Sequence, residues 1–417
     1  MDASPLPPAR DIPAAFSASL RSWWHVGEKE SAIAEERLLR RLPFFRSSSQ
    51  PRNPSAPVTA TSSRVQLSAH NRYLNTLSIK PASPSPTAPP PAVLLHGYGA
   101  GLGFFFHNFP PLADWAARRG TSVFALDWLG MGRSARVPFT IKAKRDDVRS
   151  RVAEAESFFI DSLEDWRSKM GLNQMTLIGH SLGAYFSVAY ALKYPDRVHK
   201  LILLSPAGVP QGPNYEEPSR EVTDSQPTPP GLKREKSSIH VATKGRIQTM
   251  REEQKESKKR ESRSRRLFTY LWEEGWSPFQ VVRSTLFWGP MLIGKYSSRR
   301  FSNLTPEETR DMHDYIMNIT LAKGSGEYCI SHILAPGAHA RLPLVDRIDA
   351  LPKDMNVTFV YGDHDWMDPV GGMESVKRLK AAGNNNGRMY IIEGAGHHVY
   401  LDNKDAVNDL LIAELDR

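Results

Sequence analysis

Three short stretches of this chain hold residues able to do acyl-transfer chemistry. In "LIGHSLGAYF" (177–186), Ser181 stands between Gly179 and Gly183, after an apolar run and ahead of a helix-like one. A nucleophilic serine has to be lifted on a sharp strand-to-helix turn, and flanking glycines keep side chains away from that turn. The helix that follows offers unpaired N–H groups where negative charge would develop. In "YGDHDWMD" (361–368), acids follow a late apolar run; Asp365 is the candidate acid and Asp363 the alternative, whose other use is turn capping. In "EGAGHHVYLD" (393–402), His397 follows Ala395-Gly396 and is the candidate base, with His398 structural. An acid on such a loop orients the imidazole and stabilises its cation.

A fourth stretch, "LLHGYGAG" (94–101), supplies a turn whose Tyr98 N–H, with that of Leu182, would make a two-donor oxyanion hole. It is not a dinucleotide loop, since Gly97 and Gly99 would need a third glycine where Leu102 stands. No Gly-Lys-Ser/Thr ending makes it a P-loop. No His, Cys or carboxylate cluster has metal-ligand spacing, so neither metal nor cofactor is expected. His180 takes the variable position of the serine motif, and "DWLGMGRS" (127–134) reads as a structural turn. The order serine, acid, histidine is that of the α/β-hydrolases. His397 would take the Ser181 proton as the hydroxyl attacks an ester carbonyl, leaving an acyl-enzyme. Water as acceptor makes a hydrolase; an alcohol makes an acyltransferase, for which acyl-CoA would be a partner.

These residues need a scaffold, and the surrounding pattern provides one. "VQLSAH", "YLNTLSIK", "AVLLHG", "SVFALD", "MTLIG", "KLILLS", "VTFVYG" and "RMYIIEG" read as strands. Helical stretches fall at 145–169, 182–194, 372–381 and 404–416. The alternation predicts an α/β fold with a mostly parallel sheet covered on both faces. The core spans 64–206 and 346–417, and the rhythm breaks over 207–345, an inserted cap. Residues 211–266 hold 14 Lys/Arg and 9 Asp/Glu, about +5 of the net +9, with few large apolar residues, and predict disorder. The aromatic stretch after it (Trp272, Trp276, Phe279, Phe287, Trp288) predicts a lid or a small helical core.

Residues 1–46 form a separate amphipathic segment. Phe16, Leu20, Trp23 and Trp24 fall at helical spacing, and Ile33, Leu38, Leu39 and Leu42 are interleaved with Arg37, Arg40 and Arg41. Two readings stand: a helix lying in a membrane surface, or one packed on the catalytic domain. The first 25 residues, rich in Ala, Ser and Arg, could also be a targeting segment, a reading that Asp2 and Asp11 weaken. Residues 47–63, rich in Ser, Pro and Thr, read as a flexible linker. No apolar run reaches the roughly 18 residues a span requires, so membrane contact would be peripheral. The basic balance lacks any nucleic-acid module and suits an anionic lipid surface. The single cysteine, Cys329, excludes an intrachain disulfide and reads as a small buried residue.

The motifs "LLHGYGAGLGFFFHNF", "ALDWLGMGRSAR", "GHSLGAY", "SRRFSNL", "GSGEYCI", "HILAPGAHARLPL" and "GAGHHVYLDN" resemble a lipid-acting branch of the α/β-hydrolases. That branch includes the cardiolipin-specific deacylase of fungal mitochondria, lysophosphatidic acid acyltransferases, an N-acyl-phosphatidylethanolamine lipase and the lipid-droplet coactivator of triglyceride lipase. The match covers about residues 20–46 and 65–417 apart from the basic insertion. The resemblance implies a phospholipid substrate, cardiolipin first, and a peripheral place at the mitochondrial inner membrane, with lipid droplet or endoplasmic reticulum as alternatives. It also implies a His-x4-Asp motif linked to acyl transfer, here His397 and Asp402. The coactivator has asparagine at the nucleophile position, so Ser181 argues for catalysis over a non-catalytic adaptor. Lys295, Arg299 and Arg300 in "GKYSSRRF" are candidate headgroup ligands, or a solvated cationic face.

Overall fold

The structure, a computed structural model, describes residues 6–47, 55–210, 238–242, 245, 247, 271–272, 274–336 and 338–417. Its frame is a nine-stranded sheet in the order β1-β2-β4-β3-β5-β6-β10-β11-β7. The central strands are β4 (Val123–Leu126), β3 (Ala92–Leu95), β5 (Met175–His180), β6 (Val198–Leu204), β10 (Asn356–Gly362) and β11 (Gly387–Ile392), all parallel. β5 is buried along its whole length, as a strand covered on both faces must be. β1 (Val58–Gln66) and β2 (Tyr73–Pro81) run antiparallel at one edge, and β7 (Ile239–Val241) pairs antiparallel with β11 at the other. Helices α4 (Val148–Lys169), α5 (Leu182–Lys193) and α10 (Val370–Ala381) cover one face; α3 (Phe109–Arg119) and α11 (Lys404–Asp416) cover the other.

Between β6 and β10 lies the cap, with α6 (Pro278–Ser284), α7 (Gly289–Arg300), α8 (Pro306–Leu321) and α9 (Ile330–Ile333). A two-stranded ribbon, β8 (Leu334–Ala335) with β9 (His339–Ala340), follows. α8 starts sharply because Thr305 and Glu308 form a capping box and Pro306 needs no N–H partner at the first position.

Three expectations change. The linker is shorter than 47–63: residues 48–54 lie outside the described residues, but Val58 and Ala60 alternate inward and pair with Pro81 and Ile79 as strand β1. Ser and Thr composition hid a period-two pattern that suits an edge strand. Within the basic insertion, residues 211–237 and 248–270 lie outside the described residues, whereas Ile239–Val241 is an edge strand. The N-terminal segment divides. α2 (Glu28–Leu39) buries Ala34, Leu38 and Leu39 in one core with Leu77, Ile79 and Tyr315. Arg37 on it and Arg41 just past its end face α8, Arg37 bonded to Asp314 at 2.9 Å and Arg41 to Asp311 at 2.5 Å, while Arg40 pairs with Glu36 at 2.7 Å, so the three are engaged within the protein and are not a free lipid-binding face. α1 (Phe16–Trp24) keeps Phe16 and Trp24 exposed, the latter 74%.

Candidate active site

The strand-to-helix turn after β5 sets Ser181 at φ 52°, ψ −115°, a conformation that non-glycine residues rarely hold. The turn tolerates no neighbouring side chain. A Cβ on Gly179 would lie 2.6 Å from the Ala184 Cα, and one on Gly183 would strike the carbonyl of Leu95. The Ser181 N–H donates to the Leu204 carbonyl of β6 at 2.9 Å, which fixes the turn on the sheet.

The loops after β10 and β11 complete the group. His397 Nε2 stands 3.0 Å from Ser181 Oγ, and His397 Nδ1 stands 3.1 Å from Asp365 Oδ1. Asp365 is fully buried and also accepts the Met367 N–H at 3.0 Å. With Nδ1–H donating to the carboxylate, Nε2 is left as the lone pair facing the serine hydroxyl. Asp363, the alternative acid, accepts the Ala395 N–H at 3.1 Å. Partial burial opposes its ionisation, but bonds from the Gly394 and Ala395 N–H groups hold it below the usual carboxylate range. It braces the two loops against each other and does not reach the imidazole.

The Gly97–Tyr98 turn lies directly against Ser181: a Cβ on Gly97 would sit 2.9 Å from the Ser181 Cβ. Leu182 opens α5, so its N–H has no carbonyl a turn earlier in the helix. The Tyr98 ring stacks on Phe279 of α6 with centroids 5.0 Å apart, which brings the cap down over this turn. Of the aromatic stretch, Trp272 instead joins the core, its Nε1–H donating to the Leu334 carbonyl. Asp127, read only as part of a turn, is a buried hub. It accepts the N–H groups of Leu102 at 2.7 Å and Arg133 at 2.8 Å, and the Asn75 amide at 2.9 Å. Glu35 of α2 joins it through Asn75 and Arg133, and burial pushes its carboxyl up to about 7.

Three residues play parts at the site that sequence reasoning did not assign to them. His180 Nε2–H donates to the His397 carbonyl at 2.9 Å; burial, helped by the neighbouring His397, keeps its imidazole well below the usual histidine range and therefore neutral. Trp366, half exposed, lies 4.9 Å from the His397 ring at the mouth of the site. Arg300 is the third, and it corrects the headgroup expectation. Lys295 and Arg299 are exposed on α7, but Arg300 turns inward and bonds Asp402 at 2.8 Å. Asp402 in turn accepts the Gly396 N–H at 2.9 Å and does not touch the His397 ring. The His-x4-Asp spacing therefore works here as a brace on the histidine loop. Nothing but spacing in the sequence pointed to any of these.

Cys329 is buried, and burial pushes its thiol well above the ordinary value, so it is no nucleophile. Among the described residues no cluster of metal-ligating side chains occurs, and no helix is long and apolar enough to cross a membrane.

The α/β hydrolase fold family profile matches residues 90–404. A 1-acylglycerol-3-phosphate O-acyltransferase of Arabidopsis thaliana is 33% identical over 342 residues, covering 81% of this chain and 68% of its own. A (lyso)-N-acylphosphatidylethanolamine lipase of Homo sapiens is 31% identical over 329 residues, covering 78% and 79%. Among solved structures, carboxylesterase CesB from Bacillus subtilis superposes with a TM-score of 0.51 at 14% identity, covering 93% of this chain and 97% of its own, a likeness of fold.

Proposed function

The chain belongs to the α/β-hydrolase family, and from that premise we propose that it is a serine hydrolase that deacylates phospholipids, with cardiolipin as the favoured substrate. The observation that carries the reading is the relay Ser181–His397–Asp365, at 3.0 and 3.1 Å, on a strained turn. His397 Nε2 takes the Ser181 proton as Oγ attacks the ester carbonyl. The N–H groups of Tyr98 and Leu182 stabilise the oxyanion, and Asp365 holds the imidazolium. His397 then gives the proton to the departing lysolipid oxygen, and the same imidazole activates water to release the fatty acid.

The lipid part rests on the relatives' activities and on the exposed surface. Phe16, Trp24, Leu286, Trp288, Leu292 and Tyr296 are all exposed on α1 and the adjoining cap, with Phe16 and Trp288 in ring contact. Lys295 and Arg299 share that face, which suits an anionic membrane such as one holding cardiolipin in the mitochondrial inner membrane.

Lipid mass spectrometry of wild type and Ser181→Ala on mixed cardiolipin and phosphatidylethanolamine vesicles tests the reading. Wild type should yield monolysocardiolipin and free fatty acid, and the variant neither. The 33% identity to an acyltransferase favours a second reading, in which a lysophospholipid accepts the acyl group from acyl-CoA. A diacyl product that needs acyl-CoA would establish it. No Ser181-dependent change in any lipid would favour a non-catalytic membrane adaptor.

A further inference from the structure

Helix α7 has two faces with different surroundings. Trp288, Leu292, Lys295, Tyr296 and Arg299, spaced like one side of a helix, are exposed. Ile293, Gly294 and Ser297 are buried, and Arg300 follows them inward. Its Nη1–H donates to Asp402 Oδ1 at 2.8 Å, and its Nε–H donates to His398 Nδ1 at 3.3 Å.

Those contacts land on the loop that carries the base. Three successive residues there are held from three directions. The Gly396 N–H is held by Asp402, the His397 carbonyl by His180 of the serine turn, and the His398 ring by Arg300 of the cap. His398 has an acceptor to offer because burial, with His180, Arg300 and His397 adding to it, keeps its imidazole neutral. Two of the three holds come from the catalytic core. The third comes from a helix whose other face is apolar and cationic.

We propose that Arg300 is a positioning residue for the catalytic base, joining the lipid-facing cap helix to the His397 loop through Asp402 and His398. This rests on the serine-hydrolase reading above. With Arg300 seated, the Asp402 carboxylate is fixed on the Gly396 N–H and His397 keeps its place beside Ser181. A displacement of α7 would release Asp402 and let the imidazole drift, and misplacement of a reacting group by about 1 Å costs on the order of a hundred-fold in rate. Seating of the cap and readiness of the base would then be one event.

The test uses the full chain, a soluble short-chain p-nitrophenyl ester and a fluorophosphonate that labels active serines. Arg300→Ala and Asp402→Asn should each lower kcat and the labelling rate about ten-fold or more, with KM within about two-fold. Arg300→Lys, which keeps the charge for Asp402, should recover part of the loss. The double variant should be no slower than the slower single one, because loss of Arg300 already releases both Asp402 and His398 from the one histidine loop. Thermal melts identify any variant that has lost its fold, and Arg300→Lys and Asp402→Asn then carry the comparison. Rates in Arg300→Ala near wild type, a rise in KM at constant kcat, or effects that multiply in the double variant would overturn the proposal. Failure of wild type to label at Ser181 would remove the serine-hydrolase reading and this proposal with it. Labelling of wild type with no change in the Arg300 and Asp402 variants would remove this proposal alone.

Discussion

Ser181 is held in a backbone region that costs on the order of 1–3 kcal/mol, and close contacts at Gly97, Gly179 and Gly183 leave it no easier one. Strain kept so firmly at a buried serine with a histidine nitrogen 3.0 Å away is what the proposed nucleophile requires. Ser181→Ala should therefore abolish fluorophosphonate labelling and lower ester hydrolysis by about 10⁴-fold or more, with the melting temperature near wild type. The two acids of the β10 loop separate in the same assay. Asp365→Asn removes the carboxylate that fixes the His397 tautomer and should cost about 10³- to 10⁴-fold in kcat. Asp363→Asn alters a brace between loops, and a loss below about ten-fold is expected. Equal losses at both positions would mean that the acid is misassigned.

At the scale of elements, α1 and α7 carry the exposed apolar face while α2 does not. Trp24→Ala with Trp288→Ala should weaken binding to cardiolipin-containing vesicles in a flotation assay, by about ten-fold, with ester hydrolysis retained. Arg37→Ala should leave vesicle binding alone and lower stability by about 3 kcal/mol, because it strips Asp314 of a buried partner. The cap has its own pH dependence. His313 of α8 is buried between α7 and α8 beside Ser297, and burial lowers its imidazole to about 4. The folded state then binds fewer protons than the unfolded chain between pH 6.5 and 4, so stability is lost as pH falls through that window. Chemical denaturation of wild type and His313→Gln across pH 4–8 should show wild type losing up to about 3 kcal/mol relative to the variant by pH 4. Parallel curves would refute this. These elements differed in how far sequence disclosed them. Strands β3 to β6, β10 and β11 were legible because buried parallel strands are short apolar runs between turn residues, and the candidate nucleophile, acid and base follow β5, β10 and β11. β1 was not, because its Ser and Thr residues resemble a linker unless the alternation of Val58 and Ala60 is weighed. Arg299 and Arg300 are adjacent and chemically alike, and only the phase of α7 against Asp402 sends one out and the other in.

Over the whole molecule, the N-terminal segment is not one unit attached to a catalytic domain. α1 lies against α7 and the turn before it, through Phe16 on Trp288 and Trp23 on Phe287. α2 shares a core with the sheet and α8, and sends Glu35 into the buried hub that also holds the Leu102 and Arg133 N–H groups through Asp127. Removing α2 would expose Leu77, Ile79 and Tyr315 and leave Arg133 without its Glu35 partner. Native stability is only about 5–15 kcal/mol, and loss of several buried leucines at roughly 2–5 kcal/mol each would exhaust it. Two truncations separate the roles. A chain lacking residues 1–26 should fold, hydrolyse a soluble ester at close to the wild-type rate, and bind vesicles weakly. A chain lacking residues 1–46 should fail to show a cooperative melt or to label at Ser181. If the longer truncation melted cooperatively and kept its activity, α2 would be an accessory after all, and the buried hub would have to hold the Tyr98–Leu102 turn without it.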